Sequence, residues 1–352
     1  FTNTLKIDDR DYRDTDDTRI ALWVSRSYGL EYGEAAVSST VSLIGEENKR
    51  NPLIEWLDSF EWDGVPRLNS WIVEATDCDD TQLNRTMGEK WLIQAIARAY
   101  KPGCKADCVL ILAGAQGAGK STLFRTLATE DYFADTPLDI GSANSYSQIA
   151  RAWIYEVAEL DSVRRSANSA TKAFLSAQED NFRPAYGRHA ITIKRHVVFA
   201  GTTNESQFIN DMTGSRRYWP IRVNEVNLNW VKENRNQLWA EAILAFKNGE
   251  TWYLDKKLEE IRHDSSKIYR QDDPWLDPIT NYLLLQHGTI TMTMVMEDGL
   301  KIERARMNRR DEMRISEILR ELGYEKKRMS VQGKRKYVWA KSEILTMKSK
   351  EA

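Results

Sequence analysis

The sequence predicts an α/β P-loop core with an N-terminal helical domain and a C-terminal winged-helix domain. Three observations predict this fold class. A glycine-rich loop follows a short apolar run, apolar runs then alternate with helical segments, and the last fifty residues are strongly basic. A chain of 352 residues is too long for one ordinary core, so several domains are expected. We place them at residues 1–100, 101–225, 226–272 and 273–352.

Residues 1–100 are predicted to be helical, because apolar residues recur every three or four positions in DTRIALWVSRSYGL, NPLIEWLDSF and TMGEKWLIQAIARAY. No run of about 18 apolar residues occurs, and the first residues lack the order of a signal peptide. We therefore expect a soluble intracellular protein with no membrane partner. The three cysteines form no CxxC pair, which favours free thiols over a zinc site.

The phosphate loop is predicted from Gly114, Gly119, Lys120 and Ser121, which match GxxxxGK[ST] after the strand-like CVLILA. Glycines let backbone N–H groups surround a phosphate, and the helix that begins near Lys120 directs its positive end at the anion. Lys120 is expected to reach the β and γ oxygens, and Ser121 to hold Mg²⁺. The motif thus predicts binding of a nucleoside triphosphate, with ATP and Mg²⁺ as cofactors, by Gly114, Ala115, Gln116, Gly117, Ala118, Gly119, Lys120, Ser121 and Thr122.

Two acids follow the next buried run, IYEVAEL. A P-loop enzyme needs a carboxylate for the metal and usually another to orient the attacking water. If the strand ends near Tyr155, Glu156 lies beside the metal and Glu159 polarises water, although these roles are interchangeable on the sequence. Surface acids after a buried strand are the alternative.

Later polar residues complete the predicted catalytic set. Asn204 follows the buried run VVFAG, where its amide can hold the lytic water or sense the γ-phosphate; a turn-forming Asn is the alternative. Arg216 and Arg217 come after that strand, and either is a candidate arginine finger that a neighbouring molecule supplies. A solvated pair, or one that binds nucleic acid, is the other interpretation.

The motifs together resemble those of the virulence-associated protein E family of phage- and mobile-element ATPases. The resemblance covers residues 50–223 and is carried by WDGVPRL, ARAYKPGCKAD, GAQGAGKS, EVAEL, TKAFLSAQEDNFRPAYGR, GTTN and GSRRYWP. That family is similar to superfamily 3 helicases, which are hexameric AAA+ motors sometimes fused behind a primase. The resemblance implies an AAA+-like core, a homo-hexamer with ATP at each subunit junction, an arginine acting in trans, and location in the bacterial host cytoplasm. The chain begins with Phe1, so an upstream primase is a further expectation.

In those helicases a β-hairpin before the sensor strand carries a basic residue and a histidine into the central channel. AYGRHAITIKRH falls at that place, so the resemblance implies that Arg188 and His189 grip single-stranded DNA, with Lys194 in the same segment. A basic tip can follow phosphates without reading sequence. An ordinary charged turn is the alternative. The spacing Glu156-x-x-Glu159 departs from the adjacent acids of many AAA+ motors, which leaves the catalytic base open.

The C-terminal segment predicts a DNA-binding module. From Lys301 onward there are 16 Lys and Arg against 8 Asp and Glu, which leaves the first 300 residues at about −10. One predicted helix has an apolar face of Met313, Ile315, Ile318, Leu319 and Leu322. Its basic residues Arg310 and Arg314, with Lys334, Arg335 and Lys336 between two alternating strands, predict a winged helix on duplex DNA. A solvated charged helix is the alternative.

These features predict a DNA-stimulated ATPase, most specifically a replicative helicase of a mobile element. A nucleotide-dependent DNA-binding switch that never unwinds uses the same site, so the sequence does not separate the two. A P-loop kinase is a weaker alternative because it has no need of a basic winged tail.

Overall fold

The structure is a computed structural model that describes residues 5–7, 10–139, 142–158, 169–183, 190–209, 215–269, 273–286, 288–331 and 334–341. The chain divides into two compact units, Phe1–Tyr269 and Arg270–Ala352. The ranges that the sequence predicts as a helical domain and a core lie within the first unit, and the predicted lid, 226–272, lies in it up to Tyr269.

The first unit begins with a small hairpin and five helices. The hairpin pairs β1 (Lys6–Ile7) with β2 (Arg10–Asp11), and the helices are α1 (Asp14–Tyr28), α2 (Glu34–Glu47), α3 (Pro52–Asp58), α4 (Trp71–Thr76) and α5 (Gln82–Tyr100). Side-chain hydrogen bonds to the backbone explain where two of these helices begin. The side chain of Asn51 accepts the backbone N–H of Ile54 at the start of α3, and Thr81 caps α5 in the same way. The predicted helical character of this region is confirmed.

A parallel five-stranded sheet forms the centre of the first unit. Its order is β4-β5-β8-β3-β9, and every neighbouring pair is parallel. The strands are β3 (Val109–Ala113), β4 (Phe133–Ala134), β5 (Ile154–Ala158), β8 (Val198–Thr203) and β9 (Tyr218–Arg222). All five residues of β3 are buried, as expected for a central strand covered on both faces. The predicted α/β core is therefore confirmed.

Helices cover both faces of this sheet. They are α6 (Lys120–Ala128), α7 (Ala143–Ile149), α8 (Ser169–Ser176), α9 (Leu228–Lys247) and α10 (Lys256–Ser265). One core joins α5, α6 and α9 to the sheet through Trp91, Phe124 and Trp239. The other core lies on the opposite face, where Phe174 of α8 meets Phe199. Because all five strands are parallel, their carboxyl ends meet at one edge of the sheet, which is where α/β proteins place their sites.

A second hairpin of the first unit lies between α8 and β8 in the chain. It pairs β6 (Glu179–Phe182) with β7 (Ile191–Lys194), and Glu179 lies opposite Lys194. A buried ion pair of 2.7 Å between Arg195 and Asp180 closes its base. The guanidinium of Arg98 in α5 donates to the carbonyl oxygen of Arg195 at 3.0 Å. The base of this hairpin is thus fixed to the core.

The second unit has its own core of helices and a hairpin. Its elements are α11 (Leu276–Leu284), α12 (Met292–Met294) continuing into a π-helical turn (Val295–Gly299), α13 (Arg309–Glu321), β10 (Tyr324–Val331) and β11 (Lys334–Lys341). Ile290 forms a single bridge to Trp339 of β11. Short 3₁₀ helices elsewhere span Glu130–Tyr132, Ser215–Arg217, Ser266–Tyr269 and Arg304–Arg306.

The core of the second unit corrects one expectation about α13. Ile315, Ile318 and Leu319 are buried as predicted. Met313 is wrongly assigned to the apolar face, because 57% of it is exposed. Residues 313 and 318 are about 140° apart on an α-helix of 3.6 residues per turn, so one narrow face does not hold both.

Candidate functional site

The loop after β3 has the glycines that its path requires. Gly117 and Gly119 have φ of +81° and +84°, a left-handed conformation that side chains other than glycine rarely adopt. A Cβ at Gly114 would lie 2.5 Å from the carbonyl oxygen of Val223, so no larger residue fits there without a shift. The loop ends at α6, whose first N–H groups have no intrahelical acceptor and point out of its start. This arrangement suits an anion.

Lys120, the first residue of α6, is held inside this loop. Its ammonium donates to the carbonyl oxygens of Gly114 at 2.8 Å and Ala115 at 2.6 Å. It also donates to the Oδ1 of Asn204 at 3.0 Å. Burial lowers the pKa of Lys120, and the nearby Glu156 carboxylate opposes this effect. The predicted lysine and the predicted amide sensor are therefore in direct contact.

Glu156 lies inside β5 and faces α6. The expectation that the strand ends near Tyr155 is wrong, because β5 continues to Ala158. The carboxylate Oε1 accepts the hydroxyl of Ser121 at 2.6 Å and that of Thr202 at 2.5 Å. Burial raises the pKa of Glu156, while the two hydroxyl donors lower it. The predicted metal residues Ser121 and Glu156 are thus adjacent.

The residues present fit a hard divalent cation. The Oε2 of Glu156 is buried and has no hydrogen-bond partner among the described residues. An unpaired buried carboxylate oxygen is costly unless a cation or a proton occupies it. The neighbouring Ser121 and Thr202 hydroxyls add oxygen atoms, which Mg²⁺ prefers over nitrogen or sulfur. In the part of the chain that the structure describes, no group of three or more His, Cys, Asp or Glu forms another metal site.

Asn204 follows β8, the strand that lies between β3 and β5 in the sheet. This strand order explains why its amide reaches Lys120. The start of the loop is fixed to the same strand, since the N–H of Gly114 donates to the carbonyl oxygen of Thr203 at 3.1 Å. Lys120, Ser121, Glu156 and Asn204 are therefore brought together at the carboxyl edge of the sheet.

The two predicted finger arginines lie at the opposite edge of the sheet. They belong to the 3₁₀ turn before β9, whose first residue Tyr218 pairs with Val109 at the start of β3. The side chain of Arg217 is largely buried; its Nε donates to the Oγ of Ser176 at 2.8 Å and lies 3.9 Å from Asp107. Arg216 is exposed. Neither arginine is beside the phosphate loop of its own chain.

The remaining predicted residues of the first unit lie outside the described part of the chain, away from this site or exposed at its surface. Glu159, Arg188 and His189 are outside the described residues. Lys194 is exposed at the end of β7. Gln116 and Thr122 are both exposed on the phosphate loop and at the start of α6.

The predicted DNA-binding residues of the second unit fall into three groups. Arg314 is engaged within the unit: it forms a bidentate ion pair with Asp273 at 2.6 and 2.8 Å, and its guanidinium lies 4.1 Å from the ring centre of Trp275. Arg335 is exposed on β11. The side chains of the other three, Arg310, Lys334 and Lys336, lie outside the described part. The contacts of Arg314 thus give it a structural role.

Sequence reasoning missed the residues that hold the predicted ones in place. Thr202 orients Glu156, while Ser176 and Asp107 hold Arg217. Asp135, directly after β4, is close enough to raise the pKa of Glu156 through its charge. A hydroxyl residue near the end of a buried strand is a weak signal for Thr202. Ser176, Asp107 and Asp135 carry no signal, because their partners are distant in sequence.

Fold and site together define an α/β protein with a glycine-rich loop and a buried carboxylate at the carboxyl edge of a parallel sheet. The virulence-associated protein E-like domain matches residues 57–271, and the chain belongs to that family. No curated protein matches the chain.

Among solved structures, the chain is distantly similar to apo forms of the NrS-1 C-terminal region. Two of them show TM-scores of 0.47 and 0.42, with identities of 13% and 15%. Each comparison covers 82% of this chain and 78% of the other. Among the described residues, no helix is long and apolar enough to cross a membrane.

Proposed function

We propose that this protein is an ATP-dependent DNA helicase or translocase that acts in replication of a phage or mobile element. The single observation that carries the proposal is the cluster of Lys120, Ser121, Glu156 and Asn204 around one glycine-rich loop. An ammonium, a metal-binding hydroxyl and carboxylate pair, and an amide are the groups that hydrolysis of a triphosphate requires. The family to which the chain belongs supports the biological context.

Each residue of the cluster has a role in the proposed reaction. Lys120 and the N–H groups at the start of α6 bind the phosphates. Ser121 and Glu156 would hold Mg²⁺, which when bound neutralises charge on the phosphate oxygens. Asn204 orients the attacking water. Glu159 stays a prediction for the catalytic base.

The position of the arginines supports a site shared between two copies of the chain. β3 and β9 have five residues each, so the turn at Arg216 lies roughly 15 Å along the sheet from the loop. A side chain there does not reach the phosphates of its own chain, but it can reach those of a neighbour in a ring. Arg217 already has partners within its own chain, whereas Arg216 is exposed. We therefore assign the finger to Arg216 and give Arg217 the role of holding its backbone against α8.

The second unit supports a winged-helix domain by the order of its elements. The three helices α11, α12 and α13 are followed by a basic hairpin, and the bridge at Ile290 adds a short third strand. We propose that this domain and the hairpin of β6 and β7 both contact DNA. A primase, either as an upstream domain or as a separate partner protein, belongs to the same proposal.

Hydrolysis is tested first. The Lys120→Ala variant is expected to lose ATP turnover, because the only ammonium in the described loop is removed. Lys256→Ala, which removes an exposed lysine at the start of α10, is the matched control and keeps full turnover. Phosphate release at saturating ATP and single-stranded DNA is the measurement. Normal turnover by Lys120→Ala contradicts the proposal.

Strand displacement on a forked substrate then separates a motor from a switch. A helicase releases the displaced strand at a rate that follows hydrolysis. DNA-stimulated hydrolysis without strand release favours the DNA-binding switch. Imaging of particles with an ATP analogue and single-stranded DNA tests whether the copies close into a ring.

A further inference from the structure

A groove in the second unit lies between α13 and the hairpin of β10 and β11. Its volume is about 640 Å³. Arg309 and Arg320 line it from the helix, and Lys326 and Tyr337 line it from the hairpin. The groove lies outside residues 57–271, the part of the chain that the family domain matches.

The hairpin side of the groove is an aromatic surface surrounded by cations. In the antiparallel register, Lys326 is opposite Trp339, and Arg328 is opposite Tyr337, so these four side chains share one face. Trp339 is buried in the core of the unit, whereas 61% of Tyr337 is exposed. The Lys326 ammonium is 4.9 Å and the Arg328 guanidinium 5.9 Å from the centre of the Tyr337 ring. The exposed ring is therefore flanked by two positive charges.

The helical side of the groove mixes charges of both signs. Arg309 and Arg320 are separated by about 16 Å along the helix, which is enough for more than one nucleotide. Glu312 and Glu317 lie between them and also line the groove. Carboxylates repel phosphates, but they accept hydrogen bonds from the N–H groups of bases. This wall therefore suits a ligand that presents both phosphates and unpaired base edges.

We propose that this groove binds single-stranded nucleic acid, with a base stacked on Tyr337 and phosphates beside Lys326 and Arg328. An exposed ring flanked by cations is the arrangement by which proteins hold single strands without reading sequence. A duplex does not offer an unstacked base, so the ring gains nothing from it. The inference rests on the proposed function only in taking nucleic acid as the ligand.

The test measures binding of a fluorescein-labelled oligothymidine to the full-length chain by anisotropy, without ATP. Tyr337→Ala is expected to weaken binding about 5- to 150-fold, since stacking contributes on the order of 1–3 kcal/mol per base. Tyr337→Phe keeps the ring and stays within about twofold of the wild type. Tyr253→Ala is the matched control, because Tyr253 in the first unit is 59% exposed and outside the groove.

A second variant tests the phosphate contact. Lys326→Ala is expected to reduce the slope of log affinity against log salt by about 0.7, the value for one phosphate of a single strand. Binding is repeated in a Lys120→Ala chain, where it is unchanged if the groove acts independently of hydrolysis. Absence of ATP turnover in the wild-type chain, together with intact Tyr337-dependent binding, refutes the motor but not the proposed binding by the groove.

Three results overturn the inference. The first is wild-type affinity of a folded Tyr337→Ala chain, with folding checked by circular dichroism. The second is equal loss in Tyr337→Phe, which makes the hydroxyl the contact. The third is a duplex, or an acidic peptide, that depends on Tyr337 more strongly than the oligothymidine does.

Discussion

Two inactive variants are expected to restore each other when they are mixed. Lys120→Ala lacks the phosphate-binding ammonium but keeps its finger, and Arg216→Ala lacks the finger but keeps the loop. If Arg216 acts across a subunit boundary, a working site forms wherever the loop of an Arg216→Ala copy meets the finger of a Lys120→Ala copy. Because the 3₁₀ turn lies at the opposite edge of the sheet from the loop, Arg216 is expected to contact phosphate across a boundary between copies.

The expected size of the effect follows from counting boundaries. In an equal and random mixture, half of the copies supply an intact loop and half of their neighbours supply an intact finger. About one quarter of the boundaries are then complete, so the mixture regains about a quarter of wild-type turnover if sites act independently. Each variant alone is expected to fall by about 10³-fold or more. The result does not depend on the number of copies in the ring.

Phosphate release is measured for each variant alone and for mixtures across the full range of ratios. The turnover is expected to peak at equal proportions. Arg217→Ala is the comparison: Arg217 is bound to Ser176 within its own chain, so this variant alone is expected to lose less turnover than Arg216→Ala. If the turnover of the Lys120→Ala and Arg216→Ala mixture only equals the sum of the two variants measured separately, the shared site is refuted. Rescue by Arg217→Ala instead reverses the assignment of the two arginines.

Three further predictions follow from single side chains. Glu156→Gln is expected to raise the melting temperature at pH 7. Burial raises the pKa of Glu156, so the stability of the wild-type protein falls as pH rises above about 4.5. In a thermal-melt series the advantage of the variant disappears below that pH. Gly114→Ala is expected to weaken ATP binding about tenfold or more, since its Cβ meets the Val223 carbonyl oxygen, and calorimetric titration measures this. Trp153→Phe is expected to cost about 1–3 kcal/mol in urea unfolding, because it leaves a cavity and removes the 2.9 Å hydrogen bond to the Ala95 carbonyl oxygen; an unchanged midpoint contradicts this.

Local sequence patterns account for most of the secondary structure. The buried runs around Ile111, Tyr155 and Phe199 became strands of one sheet, because continuous apolar segments bounded by turn residues suit a strand covered on both faces. The predicted end of β5 is three residues too early, since an acid inside a strand looks like the end of that strand. Burial of Glu156 is possible only because Ser121 and Thr202 donate hydrogen bonds to it.

The sequence by itself determined the glycine-rich loop and the place of its lysine, because these residues act through spacing along a short stretch of backbone. It also predicted the acid, the amide and the arginine pair that follow. Only the tertiary structure decided how these groups divide between the two edges of the sheet. Strand order and direction set that division, and they depend on contacts between residues far apart in the chain. The same contacts gave Arg217 partners within its own chain and left Arg216 exposed.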